Sequence, residues 1–258
     1  MKEELYISLI QTNLYWEDRS KNIEHFTNIL AQLEPGPDII VLPETFITGF
    51  SMKKELAEAG NETLDWMKRM ARQTQAALAG SFFVNDNGKC YNRLHFVTPD
   101  GRITIYNKKH LFRLTGEHEI FSAGDKQVIV EYKGWKISLM VCYDLRFPVW
   151  MRCSEAHEYD LMLLVANWPE KRSFAWNQLL IARAIENQCY VAAVNRIGKD
   201  GNGILHSGDS MVIDPMGQCI VKSSPFAEVQ ITTTVQYSKL QSIRKSLPFY
   251  NDRDGFSL

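Results

Sequence analysis

Short apolar runs, each ending at a polar turn, are the feature of this chain that most constrains its fold. Residues 38–42, 161–166 and 190–194 are almost continuously apolar, which is typical of strands buried on both faces. Segments with helical spacing of apolar residues alternate with these runs, at 20–33, 61–77 and 174–187. We expect Asn61 and Ser173 to cap the last two helices. This alternation predicts an α/β protein with parallel strand pairs.

Hairpin-like turns interrupt the alternation. The segments 85–88, 98–101 and 214–217 each combine Gly with Asn, Asp or Pro, and each separates two strand-like runs. Hairpins join antiparallel strands, so two facing sheets fit this pattern better than one doubly wound sheet. The sequence therefore predicts a single domain over residues 1–258, with extensive sheet and helices packed outside.

Composition excludes several classes of protein. The chain has 258 residues, of which 45% are hydrophobic and 23% charged, and its net charge is −1. These values are ordinary for a globular protein and give no indication of a nucleic-acid or membrane surface. Its five cysteines are odd in number and lack C-x-x-C spacing, which argues against a disulfide framework or structural zinc. No signal-peptide core precedes the first strand-like run, so we expect a cytoplasmic protein.

Cys142 stands at a position that suits a nucleophile. The stretch 136–148 reads as a buried strand that stops at Cys142, followed by a polar turn and by Pro148 at a first helical position. A thiol at such a turn is held on a rigid element, and the backbone N–H of Tyr143 is free to face a developing oxyanion. The alternative is an inert core cysteine, since free cysteine is often buried.

Three charged residues complete a possible site. Glu44 follows the strand at 38–42, Lys108 follows the strand at 103–106, and Glu117 lies in the next loop. Taken singly, each is an ordinary loop charge. Taken together with Cys142, they have complementary chemistry: a carboxylate accepts the thiol proton, and a lysine stabilises the oxyanion formed by attack on a carbonyl carbon. The set predicts an acyl-transfer site that needs no histidine.

Three segments resemble the signatures of the nitrilase superfamily of carbon–nitrogen hydrolases. They are Leu-Pro-Glu-Thr-Phe at 42–46, Asn-Lys-Lys-His-Leu-Phe at 107–112 and Val-Cys-Tyr-Asp-Leu-Arg-Phe-Pro at 141–148. Their order, glutamate then lysine then cysteine, also matches. The resemblance covers nearly the whole chain and includes residues 166–169, 182–188 and 206–217.

The resemblance implies a role for each residue of the site. Glu44 is expected to be the general base and acid, and Cys142 the nucleophile. Lys108, rather than Lys109, is expected to stabilise the tetrahedral intermediate with the Tyr143 N–H. Glu117 is expected to be a fourth catalytic residue, which orients the lysine and assists proton transfer. The resemblance implies a four-layer α-β-β-α sandwich without metal or organic cofactor. It also implies a homodimer or larger homo-oligomer, with the tail at 245–258 reaching the partner subunit.

Within the superfamily, residues 107–118 and 142–148 look most like those of bacterial omega-amidases, which hydrolyse the terminal amide of 2-oxoglutaramate or 2-oxosuccinamate. Such a small-molecule substrate carries a carboxylate, so a cation is expected to face the pocket. Basic residues near the signatures are the candidates, with surface ion pairs as the alternative: Arg113, Arg146, Lys171 and Arg172. Three aromatic residues are candidate pocket walls, with core packing as the alternative: Phe46, Trp168 and Trp176.

Other functions stay open on the sequence alone. The same chemistry serves carbamoylases, nitrilases and deaminated-glutathione amidases. A non-catalytic binding member of the superfamily is a second alternative, although every position of the expected triad is intact. The third is a redox-active thiol protein, in which Cys153 approaches Cys142 through the fold.

Overall fold

The computed structural model describes residues 2–255, which contain fourteen strands and six α-helices. The strands are β1 (Glu4–Gln11), β2 (Ile39–Val41), β3 (Ala77–Asp86), β4 (Lys89–Val97), β5 (Ile103–Asn107), β6 (Ile129–Tyr132), β7 (Trp135–Val141), β8 (Leu161–Ala166), β9 (Tyr190–Asn195), β10 (Ile197–Lys199), β11 (Leu205–Ser207), β12 (Met211–Ile213), β13 (Cys219–Lys222) and β14 (Val229–Gln236). The helices are α1 (Arg19–Ala31), α2 (Gly60–Thr74), α3 (Glu117–Ile120), α4 (Pro148–Met151), α5 (Ser173–Asn187) and α6 (Tyr237–Ser246).

Two six-stranded mixed sheets form the centre of the molecule. The first has the order β14-β1-β2-β3-β4-β5, and the second has the order β13-β12-β9-β8-β7-β6. In each sheet three strands are parallel, β1 to β3 in one and β7 to β9 in the other. The remaining neighbours are antiparallel: hairpins join β3 to β4, β4 to β5, β6 to β7 and β12 to β13, whereas β14 pairs with β1 and β12 with β9 over longer connections. The prediction of two sheets, instead of one doubly wound sheet, is confirmed.

Strand alternation builds the layers. In β2, Ile39 and Val41 belong to the core shared with the second sheet, whereas Ile40 and the following Leu42 pack with residues of α1 and α2. Successive side chains of a strand point to opposite faces, so β2 is buried on both sides. On the other sheet, α5 covers the outer face. The order of layers is α-β-β-α, as the resemblance implied.

The predicted helix starts are only partly right. Pro148 opens α4, as predicted. However, α2 starts at Gly60 with Ala59 as its N-cap, so the predicted cap at Asn61 is wrong. Ser173 is the first residue of α5 and makes no capping bond. In both places a 3-10 turn runs almost directly into the helix, so neither side chain occupies a cap position.

The tail folds onto its own chain as far as it is described. The side-chain amide of Gln188 donates to the Leu247 carbonyl at 2.8 Å, and the Arg253 guanidinium lies 3.6 Å from a carboxylate oxygen of Glu158. Residues 256–258, the last part of the segment expected to reach a partner, lie outside the described residues. Across residues 2–255, no helix is both long enough and apolar enough to cross a membrane.

Candidate active site

The predicted site residues meet where several strands end. Glu44 lies three residues past β2, Lys108 directly follows β5, and Cys142 directly follows β7. In α/β sheets, ligands bind beyond the carboxyl ends of the parallel strands, because side chains from separate loops converge there. In the two facing sheets, the carboxyl ends of the parallel strands of one sheet lie opposite those of the other.

Lys108 forms the centre of a buried ion cluster. Its Nζ lies 2.9 Å from Oε1 of Glu44, and 3.1 Å and 3.0 Å from the two carboxylate oxygens of Glu117. All three side chains are at most 1% exposed. The adjacent Lys109 points elsewhere, with its ammonium 5.0 Å from the centre of the Trp150 ring. Lys108 is therefore the lysine of the cluster.

Cys142 sits on a sharp turn. It begins a 3-10 turn, Cys142–Arg146, and its φ is +45°, in the left-handed region that a side chain other than glycine rarely adopts. Such a conformation persists only where surrounding contacts impose it, and it is common at functional sites. Its thiol lies 3.9 Å from the carbonyl oxygen of Asn167.

Asp144 fixes the turn that carries the thiol. Its buried carboxylate accepts hydrogen bonds from the backbone N–H of Val141 at 3.0 Å and from the Tyr106 hydroxyl at 2.7 Å. The other oxygen accepts from the backbone and ring of His110. His110 therefore supports the loop of Lys108, and its ring stacks on that of Phe147 at 3.8 Å between ring centres.

Two asparagines of the site were not predicted. The Asn92 amide donates to Glu44 at 2.8 Å and to Glu117 at 3.4 Å, so it joins both carboxylates. The backbone N–H of Asn167 donates to the second Glu44 oxygen at 2.8 Å. The sequence of β4 gave no clear signal for Asn92, because the strand carries other polar residues, including Arg93 and His95. Asn167 lies in the 166–169 segment that resembled the superfamily, but nothing there assigned it a contact.

Burial sets the protonation of the cluster. It raises the pKa of the Cys142 thiol well above its ordinary value, and the negative charge of Glu44 raises it further, against the opposing effect of Lys108. Burial also raises the pKa of Glu117. For Lys108, burial disfavours the charge, but Glu117 and Glu44 outweigh it and raise the lysine pKa. The resting thiol is therefore neutral, and Lys108 is an ammonium.

An open cavity leads to the thiol. It contains about 510 Å³ of space that no atom fills, including the open solvent at its mouth. Six of its lining residues were named as candidates from the sequence: Lys108, Cys142, Tyr143, Arg146, Trp168 and Arg172. Others were not foreseen: Phe50, Phe112, Thr115, Pro169, Asp200, Ile204 and His206.

Two predicted cations lie outside this cavity. Arg113 is exposed and lines a separate surface groove with His118 and Phe147, because it falls in a short 3-10 turn that directs it away from the thiol. Lys171 is exposed and is absent from the cavity wall. The expectation that Arg113 contacts the substrate is therefore not supported by its position.

Two predicted aromatic walls belong to the core. Phe46 is fully buried between the rings of Phe26 and Phe82, at 5.3 Å and 6.1 Å between centres. Trp176 packs behind Trp168, at 5.5 Å between ring centres, and donates its indole N–H to the Asp209 carbonyl. Phe46 thus has the alternative role of core packing, and Trp176 supports the wall without lining it.

Metal ligation is not indicated by this arrangement. Within residues 2–255, no group of three or more His, Cys, Asp or Glu side chains is arranged to hold a metal ion. The two carboxylates of the site are instead directed at Lys108, Asn92 and Asn167.

Fold and site together define a class of enzyme. A model of the family described as carbon-nitrogen hydrolase matches residues 6–245. The chain therefore belongs to the carbon–nitrogen hydrolases of the nitrilase superfamily, which confirms the resemblance seen in its sequence. It is a hydrolase that acts on carbon–nitrogen bonds other than peptide bonds.

The chain is similar to amidases of the family and to a solved structure of the superfamily. The chain is 44% identical over 255 residues to the omega-amidase YafV of Escherichia coli K12, covering 98% of each chain. It is 34% identical to a 2-oxoglutaramate amidase of Bacillus subtilis, covering 95% of this chain and 96% of the other. Among solved structures, XC1258 of Xanthomonas campestris, a superfamily protein with an arsenic adduct in its active site, superposes with a TM-score of 0.96 at 41% identity and full coverage of both chains.

Proposed function

We propose that this protein is an omega-amidase, which hydrolyses the terminal amide of 2-oxoglutaramate or 2-oxosuccinamate to a 2-oxo dicarboxylate and ammonia. The observation that carries the proposal is the position of the Cys142 thiol, in an open cavity beside a buried lysine that bridges two carboxylates. Similarity to an omega-amidase and a 2-oxoglutaramate amidase over almost the whole chain supports the substrate class.

Acylation begins with the neutral thiol. Because its pKa is raised, Cys142 loses its proton to Glu44 as the sulfur attacks the amide carbon. The amide oxygen becomes an oxyanion, which accepts from the Lys108 ammonium and the Tyr143 N–H. Collapse of this intermediate breaks the carbon–nitrogen bond. The nitrogen takes the proton from Glu44 and leaves as ammonia, and a thioester remains on Cys142.

Deacylation repeats these roles with water. Glu44 takes a proton from a water molecule as the water oxygen attacks the thioester carbon. The Lys108 ammonium and the Tyr143 N–H stabilise the second oxyanion. The carbon–sulfur bond then breaks, and the proton returns from Glu44 to sulfur. The product is a carboxylic acid, and the enzyme regains its neutral thiol.

Glu117 and Asn92 keep the working groups in place. Glu117 holds Lys108 through both carboxylate oxygens and accepts the backbone N–H of Phe112 at 2.5 Å, which anchors the loop beyond the lysine. Asn92 donates to both glutamates and so reduces the repulsion between them. Neither residue is required to form a bond to the substrate.

A substrate panel tests the proposal against its alternatives within the superfamily. We expect the highest kcat/KM for 2-oxoglutaramate or 2-oxosuccinamate, and values lower by at least tenfold for a carbamoyl amino acid, an aliphatic nitrile and deaminated glutathione. A preference for any of the last three would replace the omega-amidase assignment, while leaving the thiol chemistry intact.

We further propose a cytoplasmic homodimer that associates through its helical face. Two large apolar side chains there are exposed, Val149 of α4 at 56% and Ile185 of α5 at 51%. Solvent-exposed apolar patches are typical of association surfaces. Light scattering is expected to give twice the chain mass, and an Ile185→Glu variant is expected to shift toward the monomer. A monomeric wild-type protein would contradict this assembly.

A further inference from the structure

Two guanidinium groups that line the catalytic cavity have no carboxylate partner among the residues that the structure describes. Arg172 is half-buried, and Arg146 is exposed at the mouth. Neither forms a salt bridge within residues 2–255, although other arginines of the chain, such as Arg93, Arg183 and Arg244, are paired. A partly buried guanidinium without a counterion is costly, so an anion supplied from outside would stabilise it.

Aromatic rings hold both groups in place. The Arg172 guanidinium carbon lies 5.3 Å from the centre of the Phe112 ring, and that of Arg146 lies 4.8 Å from the centre of the Trp168 ring. Contact with an aromatic ring restrains a guanidinium and supplies no hydrogen-bond acceptor. The N–H groups therefore remain available to a planar acid, which a guanidinium recognises by paired hydrogen bonds.

The other charged groups of the cavity are already engaged. Lys108 is held by two carboxylates. One Asp200 carboxylate oxygen accepts the backbone N–H groups of Asn202 and Ile204 at 2.8 Å and 2.9 Å, within its own turn. Burial lowers the pKa of His206 to about 4, so this imidazole is neutral at pH 7. The positive charge available to a ligand of this cavity thus comes from the two arginines.

We propose that Arg172 and Arg146 form the subsite that binds the substrate's carboxylate, at the end remote from the amide attacked by Cys142. The pair selects anionic omega-amides over neutral amides, and Arg172, the more buried member, contributes more than Arg146. This assignment rests on the proposed function, and it excludes the exposed Arg113.

Alkylation of Cys142 tests the subsite without requiring turnover. Iodoacetate and iodoacetamide form the same carbon–sulfur bond, but iodoacetate is an anion and iodoacetamide is neutral. The rate of alkylation by iodoacetate divided by the rate with iodoacetamide therefore reports the positive field at the thiol. Modification is read at the Cys142 peptide, because the other four cysteines are also free. We expect the ratio to fall about tenfold in Arg172→Met and less in Arg146→Met, with an intermediate value in Arg172→Lys.

Arg113→Met is the matched control and is expected to keep the wild-type ratio. An unchanged ratio in Arg172→Met, or an equal fall in Arg113→Met, would overturn the subsite. An equal slowing of both reagents in Arg172→Met would also refute the subsite, since it would indicate a general disturbance of the thiol.

Steady-state kinetics add the substrate readout. In Arg172→Met we expect kcat/KM for 2-oxoglutaramate to fall about 100-fold, mostly through KM, with kcat/KM for neutral butyramide nearly unchanged. Equal losses on both amides would count against the subsite. If the wild-type enzyme is inactive on every omega-amide, the proposed function is refuted. The alkylation ratio would still test whether the arginine pair binds an anion.

Discussion

One carboxylate oxygen of Asp144 accepts two hydrogen bonds from His110, from the backbone N–H at 3.0 Å and from ring Nδ1 at 2.8 Å. The other oxygen accepts from the Tyr106 hydroxyl and the Val141 N–H. A single buried carboxylate therefore connects the turn of Cys142 to the loop of Lys108. The distance between nucleophile and ammonium depends on this connection.

Asp144→Asn tests that role. The substitution replaces one acceptor oxygen by an NH₂ group, which is a donor. Because both oxygens of Asp144 accept hydrogen bonds, either orientation of the amide places NH₂ against N–H or O–H donors that then lose their acceptor. Since small misplacements of catalytic groups are costly, we expect kcat/KM to fall about 100-fold with a folded circular dichroism spectrum. The surface variant Asp65→Asn on α2 is the control. Wild-type activity in Asp144→Asn would show that the connection does not position the site.

The charge of Glu44 is predicted to keep the Cys142 thiol protonated. In Glu44→Gln that charge is absent while Lys108 remains, so the pKa of Cys142 should fall. Turnover should fall about 10²- to 10⁴-fold, because the general base is lost. The thiolate absorbance, titrated against a Glu44→Gln variant that also carries Cys142→Ala, measures the pKa. A thiol pKa that stays level or rises in Glu44→Gln is the contrary result.

Gly124 is predicted to be essential for the position of Lys108. Its N–H donates to the Lys108 carbonyl at 2.9 Å, and a Cβ built on it would lie 2.2 Å from the Asn107 carbonyl oxygen. Gly124→Ala should therefore separate the two segments, lower the free energy of unfolding by about 1–3 kcal/mol and reduce kcat. Gly255→Ala, where the added methyl meets no atom within 4 Å, is the control. Equal melting temperatures in the two variants would refute the prediction.

Buried histidines are predicted to weaken the fold in acid. Burial lowers the pKa of His95 to about 3, and that of His206 to about 4, from an ordinary value of about 6.5. The unfolded chain therefore binds protons first as the pH falls. Stability is retained above about pH 6.5 and is lost progressively toward pH 3.

His95→Phe, which retains the ring stacked on Phe82, should reduce this acid dependence. Urea unfolding between pH 7 and pH 4 measures it, and the half-exposed His157→Phe provides the comparison. If the stability of His95→Phe falls with acid as steeply as that of the wild type, His95 is not a source of the dependence.

The sequence predicts the central strands better than the edges of the sheets. The strand predicted at 161–166 coincides with β8, since its residues are apolar throughout and buried on both faces. In contrast, β14 was not predicted. It is an edge strand that pairs with β1, and most of its Gln and Thr side chains are partly exposed, so it lacks a strong apolar pattern. Its place in the sheet comes from a partner at the opposite end of the chain.

For the site, strand ends were predictable and side-chain directions were not. Cys142, Lys108 and Glu44 could be named because each follows a strand, their chemistry is complementary, and the three segments that carry them resemble the superfamily signatures. Whether Arg113 or Arg172 faces the cavity depends on the direction of a short 3-10 turn, which local sequence does not fix. The contacts of Asn92 depend on three separate segments, and no pattern within β4 indicates them.

Ammonia release from 2-oxoglutaramate and 2-oxosuccinamate, compared between the wild type and Cys142→Ala, tests the central claim most directly. The wild type is predicted to release ammonia from both, and Cys142→Ala is predicted to release none while it keeps its fold. Release by Cys142→Ala at a rate near that of the wild type would contradict the thioester mechanism. A folded wild type that is inactive on both compounds would contradict the omega-amidase assignment.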